Sequence, residues 1–154
     1  MPRLVKGGKN VFGWSRVSES GRIVIPPDAF AQYQLLDSEN AILLSGSKAS
    51  GGFGLTTAGK LKESSISGIL TAHPELAAYQ VPEGEVIRFS GRVFCWASIC
   101  NKGITVPPAT LRMYGIERGD LLLSVRGSNL ALGFIVRGSI VEEARRHPGL
   151  RVFV

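Results

Sequence analysis

Short runs of β-branched and aromatic residues alternate with glycine-containing turns along this chain. The runs 11–17 and 93–99 predict strands, because such residues pack well on a pleated surface. A turn follows each run, and the next apolar run ends at a proline pair, Pro26–Pro27 or Pro107–Pro108. Proline cannot donate a hydrogen bond within a β-ladder, whereas it is favourable in the first turn of a helix. The pattern therefore predicts a chain made mainly of strands, with short helices after the proline pairs.

The pattern occurs twice, and from residue 23 to 57 the offset is 81 positions, which relates Ile23 to Ile104 and Phe53 to Phe134; the runs 11–17 and 93–99 are 82 positions apart. No gap is needed between residues 23 and 57. Solenoid repeats have periods of about 20 to 50 residues, so this longer period indicates two joined copies of a small domain.

Copy 1 spans residues 1–81 and copy 2 spans residues 82–154, with the join near 81–84. Copy 1 carries about seven more residues than copy 2, around Ser64 to Leu70, and we expect them in a loop or a longer helix. A unit of roughly 75 residues with open strand edges is hard to stabilise alone. We therefore expect the copies to pair around a shared core and a pseudo-two-fold axis.

Copy 2 shows the predicted elements most clearly. Gly115 stands where helices commonly end in a left-handed conformation, and Ser139 with Glu142 matches a capping box that begins a helix. The other predicted elements are a buried strand over 121–125, a hairpin turn at 127–129, a strand over 130–136, a helix end near 147–148 and a last strand over 150–154. Because copy 1 shares the pattern, we expect a similar order of elements there.

Positive charge favours a polyanionic partner for this chain. Its 154 residues include 18 Lys and Arg against 12 Asp and Glu, a net charge of +6. Basic residues exceed acidic ones in both copies, 8 to 6 in copy 1 and 10 to 6 in copy 2. Neutralising phosphates releases condensed counterions, which drives association of such proteins with nucleic acid.

Residues 16–26, RVSESGRIVIP, resemble the signature of the AbrB/MazE/SpoVT family of swapped-hairpin transcription regulators. Copy 2 repeats the signature at 102–107, KGITVP, and its residues 114–120 are similar to the family's helix end and following turn. Family members are usually homodimers whose hairpins interleave into one β-barrel, and MraZ-like members carry two copies in one chain. The resemblance implies tandem AbrB-like repeats that form one intrachain swapped-hairpin (double-split) β-barrel, a pseudo-dimer of mainly β structure.

The resemblance also implies a DNA-binding transcriptional regulator whose turn and short-helix basic residues contact phosphates of double-stranded DNA. Arg22 matches a family arginine beside the turn, Arg16 a basic position just before it, and Arg112 an arginine of the short helix. Lys102 lies in the corresponding turn of copy 2. We predict these four side chains as phosphate contacts.

Lys9 completes the predicted nucleic-acid contacts. It is the last of three basic residues, after Arg3 and Lys6, that are interleaved with glycines near the start of the sequence. Such a segment can act as a flexible basic arm along a DNA groove. A frayed, solubilising terminus is the alternative.

Several positions that are basic in the family are not basic in this chain, so the sequence also allows other functions. Non-basic residues occupy further positions where the family is basic: Ser15, Phe30, Ala31, Ala97, Gly103 and Leu111. The predicted contacts could therefore be solvated charges that protect strand edges. The chain would then be a non-DNA-binding swapped-hairpin barrel that acts as an assembly or small-ligand-binding module. An antitoxin is a weaker alternative, because residues 150–154 predict a packed strand rather than a toxin-wrapping tail.

The glycine-rich segment 46–54 offers successive N–H groups that could bind an anion. A Walker phosphate loop needs Lys and then Ser or Thr after its last glycine, and Gly52 and Phe53 stand there instead. Because residues 127–133 repeat the spacing in copy 2, a hairpin loop is the better interpretation.

We predict no enzymatic activity, cofactor or metal site. No nucleophile–histidine or paired-carboxylate spacing recurs in both copies. Cys95 and Cys100, in a chain with only two histidines, do not match a zinc-ligand spacing, and we expect both to be reduced. The repeated aromatic and histidine residues have structural interpretations: packing for Trp14 and Trp96, and helix ends for His73 and His147.

No apolar run approaches the roughly 20 residues that span a bilayer, and the first residues lack the apolar core of a signal peptide. We therefore expect a cytoplasmic protein with no membrane partner. Pseudo-dimeric chains of this kind could assemble further into homo-oligomers.

Overall fold

The computed structural model describes residues 10–126 and 128–154. Within them lie ten strands and six short helices, so the prediction of a mainly β chain with short helices is confirmed. The strands are β1 (Asn10–Arg16), β2 (Arg22–Val24), β3 (Asn40–Ser45), β4 (Phe53–Thr56), β5 (Ile87–Phe89), β6 (Arg92–Ser98), β7 (Gly103–Thr105), β8 (Leu121–Arg126), β9 (Leu132–Ile135) and β10 (Val152–Phe153). The helices are α1 (Pro27–Gln32), α2 (Ala58–Lys62), α3 (Gly68–Ala72), α4 (Pro74–Ala77), α5 (Pro108–Met113) and α6 (Ser139–Arg145).

The proline pairs place the first helix of each copy. Helix α1 begins at Pro27 and helix α5 begins at Pro108. N–H groups in the first turn of a helix have no partner within the helix, so a proline there loses no hydrogen bond. After α5, Gly115 adopts the left-handed conformation with φ of 75°. The Ile116 N–H then donates to the Leu111 carbonyl at 2.9 Å, which closes the last turn as the sequence predicts.

The predicted capping box of copy 2 is wrong, and the predicted last strand is confirmed with shorter bounds. Helix α6 begins at Ser139 itself, with Gly138 at the N-cap and no side-chain cap, and Glu142 pairs instead with Arg145 at 2.7 Å. The Ser139 hydroxyl lies one position too far into the helix to cap it. The last strand is β10, only two residues long, because it pairs with β1 over just two positions. Gly127, in the predicted hairpin turn, lies outside the described residues.

The first strand of each copy pairs with the other copy. Strand β1 of copy 1 lies antiparallel to β8 of copy 2, and β6 of copy 2 lies antiparallel to β3 of copy 1. Two equivalent hydrogen bonds extend these ladders: the Val17 N–H donates to the Asp120 carbonyl at 2.9 Å, and the Ile99 N–H donates to the Glu39 carbonyl at 2.8 Å. The first strand of each copy therefore pairs with a strand of the other copy.

Two further ladders define a pseudo-two-fold axis between the copies. In the antiparallel β2–β7 pair, Ile23 faces Ile104, and in the antiparallel β4–β9 pair, Phe53 faces Phe134. Both are pairs of equivalent residues, 81 positions apart, so the axis passes through both ladders. The four side chains belong to one hydrophobic cluster. The β2–β7 and β4–β9 ladders therefore lie on opposite sides of that cluster.

The larger sheet has the strand order β10-β1-β8-β9-β4-β3-β6-β5, and β2 and β7 form a separate two-stranded sheet. Among the strands given above, no ladder joins β10 to β5. The closed barrel therefore stays a prediction, whereas the exchange of strands between the copies is observed.

The core is shared by the two copies. Its largest cluster contains buried side chains from both, including Ile23, Phe53, Ile104 and Phe134. One smaller cluster packs α6 on β1 and β8, and the other packs α2, α3 and α4 on β3 and β6. The extra residues of copy 1 lie between α2 and the first turn of α3, so this copy covers its sheet with three short helices where copy 2 uses α6.

Both tryptophans have structural partners, as predicted. Trp14 is buried in the cluster beneath α6. The half-buried Trp96 donates from its indole N–H to the Val81 carbonyl at 2.6 Å, and its ring lies 5.4 Å from that of Tyr79. Their repeated positions therefore support packing in each copy.

The two cysteines differ in environment, and their alkylation should differ accordingly. Burial raises the pKa of the Cys95 thiol to about 11, and Cys95 Sγ lies 3.3 Å from the Tyr114 hydroxyl. Cys100 is exposed. Because the thiolate is the reactive form, iodoacetamide at about pH 8 is expected to modify Cys100 in the folded protein and to spare Cys95. Mass spectrometry of peptides, with a urea-unfolded sample in which both react, checks this; equal rates in the folded protein would contradict it.

Candidate nucleic-acid interface

The predicted contacts near the repeated turns surround the β2–β7 ladder. Turn 1 (residues 18–21) precedes β2, and turn 2 (residues 100–102) precedes β7. The Ile25 N–H donates to the Lys102 carbonyl at 2.8 Å, and the Val106 N–H donates to the Gly21 carbonyl at 3.0 Å. Each turn is thus bonded to the end of the other copy's strand, which holds the two turns on either side of the axis.

Arg22 connects β2 to turn 2. Its guanidinium donates from Nη1 to the Cys100 carbonyl at 3.0 Å and from Nη2 to the Asn101 carbonyl at 2.8 Å. Gly103 is the equivalent residue of copy 2, and a Cβ atom there would lie 2.7 Å from Cζ of Arg22. A side chain at 103 would therefore require the Arg22 guanidinium to move away from turn 2.

Lys102 extends from turn 2 over α1. Its backbone is left-handed, with φ of 59°, and its N–H donates to Asp37 Oδ1 at 2.9 Å. The side chain is exposed, and Nζ lies 5.7 Å from the centre of the Phe30 ring, within the range of a cation–π contact. Phe30 thus supports the lysine of the other copy at a position where the family resemblance predicted a basic residue.

Arg16 lies at the end of β1, beside turn 1. Its exposed side chain has no ion pair or hydrogen bond within residues 10–126 and 128–154. It lines an open cleft of about 570 Å³ together with Glu19, Glu117 and Arg118. Arg118 also donates from Nη1 to the Glu19 carbonyl at 3.3 Å. The cleft therefore carries two cations and two carboxylates, and only the arginines are candidates for phosphate contacts.

Arg118 was not among the sequence-based predictions. The 81-residue offset makes Arg118 the equivalent of Asp37, but the contact of Asp37 with turn 2 is seen only in the structure. Turn 1 is therefore contacted by a basic side chain where turn 2 is contacted by an acidic one.

Arg112 is exposed in the last turn of α5, and no ion pair or hydrogen bond of its side chain occurs in the described part of the chain. It is the equivalent of Ala31, which is exposed on α1. The structure therefore brings Arg22 and Lys102 together at turn 2, whereas Arg16 lies beside turn 1 and Arg112 lies on α5. Lys9 lies outside the described residues.

A second basic cluster, also missed from the sequence, surrounds Tyr33. Lys60 Nζ lies 5.0 Å from the ring centre and donates to the Tyr33 carbonyl at 2.7 Å, and Arg126 Cζ lies 5.4 Å from the ring. Burial lowers the pKa of Lys60, while the nearby Glu39 carboxylate opposes this shift and Arg126 adds to it. Arg126 also binds Gln32 Oε1 at 2.8 Å, so both cations have structural partners.

The glycine-rich segment 46–54 forms the hairpin between β3 and β4, as predicted. Two of its glycine N–H groups have acceptors within the protein: Gly51 donates to the Ser47 carbonyl at 2.8 Å, and Gly52 donates to the Tyr114 carbonyl at 2.9 Å. Because these donors are occupied, the loop stabilises the hairpin and its contact with α5.

The histidines and acidic residues of the chain are potential metal ligands. The described residues contain no group of three or more His, Cys, Asp or Glu side chains placed to hold a metal ion. His73 lies between α3 and α4, where Nδ1 is 2.9 Å from Glu75 Oε1; a backbone hydrogen bond and then this contact lower the Glu75 pKa. None of the helices in ranges 10–126 and 128–154 has the length and apolar character needed to cross a membrane.

Fold and site together define a class of protein: a mainly β chain of two strand-exchanging copies, with the basic side chains of Arg22 and Lys102 beside a ladder on its pseudo-two-fold axis. Comparisons with protein-family models, with curated proteins and with solved structures found no significant match to this chain.

Proposed function

We propose that this chain is a DNA-binding transcriptional regulator of the AbrB/SpoVT type. In this proposal the two copies form one swapped-hairpin β-barrel, and Arg16, Arg22, Lys102 and Arg112 contact phosphates of a duplex. The exchange of strands β1 and β6 between the copies supports it, because it is the arrangement that the family resemblance implies.

The observation that carries the proposal is the position of Arg22 and Lys102 beside a ladder on the pseudo-two-fold axis. Duplex DNA presents two phosphate backbones related by local two-fold axes, so a pseudo-symmetric protein can place its two turns on both. Arg22 keeps turn 2 in place through two carbonyl contacts, which leaves Lys102 exposed above Phe30. The contact would be with phosphates and would favour affinity over base specificity.

DNA binding is expected to be salt-dependent and to weaken when a predicted contact is removed. Arg16→Ala, Lys102→Ala and Arg112→Ala are each expected to lower the affinity for a labelled duplex severalfold and to reduce the salt slope by about 1, as one fewer phosphate is neutralised. Fluorescence anisotropy across a salt series measures both quantities. Arg22→Ala is a less specific test, because it also frees two carbonyls of turn 2.

Arg146→Ala is the matched control. Arg146 is exposed at the end of α6, where it pairs with Glu143 at 3.5 Å, so its loss changes the net charge equally without affecting the turns. Affinity for the duplex is expected to change little. Equal weakening by the control, or no binding at about 50 mM salt, would show that the turns do not form a DNA site.

One observation favours the alternative of a non-DNA-binding module. Two N–H groups of the Arg22 guanidinium donate to carbonyls of turn 2, which is a structural role. A folded chain without DNA affinity would support this alternative, in which the swapped-hairpin barrel serves assembly or binds a small ligand.

A further inference from the structure

A glycine floor lies on the outer side of the β4–β9 ladder, across the core from the β2–β7 turns. Gly54 faces Gly133 in this ladder, next to the pair Phe53 and Phe134 whose side chains enter the core. Because successive residues of a strand point to opposite faces, the two glycines add no side chains to the outer face, where Leu44, Ala131 and Val125 border them. The 81-residue offset relates Gly54 to Ile135 and Gly133 to Gly52. The equivalent positions therefore do not form a second pair of glycines.

Side chains of both copies surround this floor and form a cavity of about 340 Å³. Its walls include the apolar side chains Leu44, Ile66, Leu130 and Ile135. A narrower cavity of about 140 Å³ adjoins it beneath the extra residues of copy 1. Ser65, Ile66 and Arg92 line both cavities, so the two form one groove. Pockets for small molecules commonly have volumes of about 300–1,000 Å³ and mostly apolar walls.

Arg92 is the one charged side chain that lines the groove among the described residues. It begins β6, where the β5–β6 hairpin holds it opposite Phe89. No ion pair or hydrogen bond engages its side chain in ranges 10–126 and 128–154. Three serines, Ser45, Ser65 and Ser128, add hydroxyl groups to the larger cavity. An unpaired guanidinium beside apolar walls is complementary to an anion that carries an apolar body.

We propose that this groove binds a small carboxylate with an apolar chain or ring. The carboxylate pairs with Arg92 through two parallel N–H···O bonds, and the apolar part covers the Gly54–Gly133 floor between Leu130 and Ile66. The planar guanidinium matches a carboxylate in geometry, and the narrow apolar groove suits a chain better than a bulky polar group. This site is independent of the DNA interface, because it lies on the opposite side of the core.

Octanoate is the probe that tests the site, at concentrations below those at which it forms micelles. Calorimetry is expected to show saturable binding to the full chain, and NMR titration is expected to shift the Gly54 and Gly133 amide signals. Arg92→Gln is expected to weaken binding roughly tenfold, the loss of a charge-assisted hydrogen-bonded pair. Ser65→Trp, which fills the shared part of the groove, is expected to abolish binding.

Three controls decide the outcome. Arg146→Gln removes the same charge elsewhere and is expected to leave octanoate binding unchanged. Octylamine, with the same chain and the opposite charge, is expected not to bind. Equal binding of octanoate and octylamine, an unchanged affinity in Arg92→Gln, or no saturable binding of octanoate would each overturn the proposal. Circular dichroism of Ser65→Trp verifies that the variant is folded, and binding by the folded variant would likewise contradict the proposed groove.

Discussion

Phe134→Ala is expected to lower the free energy of unfolding by about 3–5 kcal/mol. Phe134 is fully buried on the pseudo-two-fold axis, where its ring stacks on Phe53 with 5.1 Å between the ring centres. The cavity left by the ring would lie in the cluster that both copies share. We therefore expect both copies to lose stability together and to unfold in a single transition.

Urea unfolding of single-tryptophan chains measures this. Trp96→Phe leaves Trp14 as a fluorescence probe of the cluster beneath α6, and Trp14→Phe leaves Trp96 as a probe of the cluster beneath α2, α3 and α4. Both probes are expected to report the same midpoint before and after Phe134→Ala. Leu36→Ala is the control, because Leu36 is 67% exposed and its loss should change stability by less than about 0.5 kcal/mol. Two separate midpoints in the unmodified chain would contradict a shared core.

Gly21→Ala is expected to cost about 3 kcal/mol or more, from a positive φ and a steric clash together. Gly21 has φ of 84°, and a Cβ atom there would lie only 2.2 Å from the Val106 carbonyl oxygen. That carbonyl belongs to the residue whose N–H donates to Gly21 at 3.0 Å. Relieving the clash would therefore separate turn 1 from the strand of copy 2.

Lys102→Ala is the matched control for this change. Lys102 is the equivalent residue of turn 2, and it already has a Cβ atom at a φ of 59°. Its truncation removes only the contact with Phe30, so a loss below about 1 kcal/mol is expected. Thermal or urea unfolding of both variants provides the comparison. An unchanged stability in Gly21→Ala would show that turn 1 is not held against Val106.

Much of the local structure follows from short-range rules. Proline has no N–H, so the proline pairs predict where β2 and β7 end and where α1 and α5 begin. Gly115 avoids the Cβ penalty of a left-handed residue, so it predicts the end of α5. The capping box predicted at Ser139 and Glu142 is absent, because the helix starts at Ser139 itself. The sequence pattern identifies residues that can form a cap, but it does not specify at which residue the helix starts.

The candidate sites were predictable only in part. The turn residues Arg22 and Lys102 were found from the sequence, but the carbonyl contacts of Arg22 depend on the other copy. The same holds for Gly103, which lies against the Arg22 guanidinium of the other copy. Arg92 gave no sequence signal, because it faces a cavity formed by residues from both copies.

The repeat alone determined that this protein has two similar copies, mainly β structure, and a short helix after each proline pair, α1 and α5. These properties depend on residue type and spacing, which the 81-residue offset preserves. Only the tertiary structure decided that β1 pairs with β8 and β6 with β3, since a strand's hydrogen-bonding groups do not specify their partner. It also decided which basic side chains are bonded within the protein and which are exposed. Those contacts join residues far apart in the chain, and their geometry exists only once the two copies share one core.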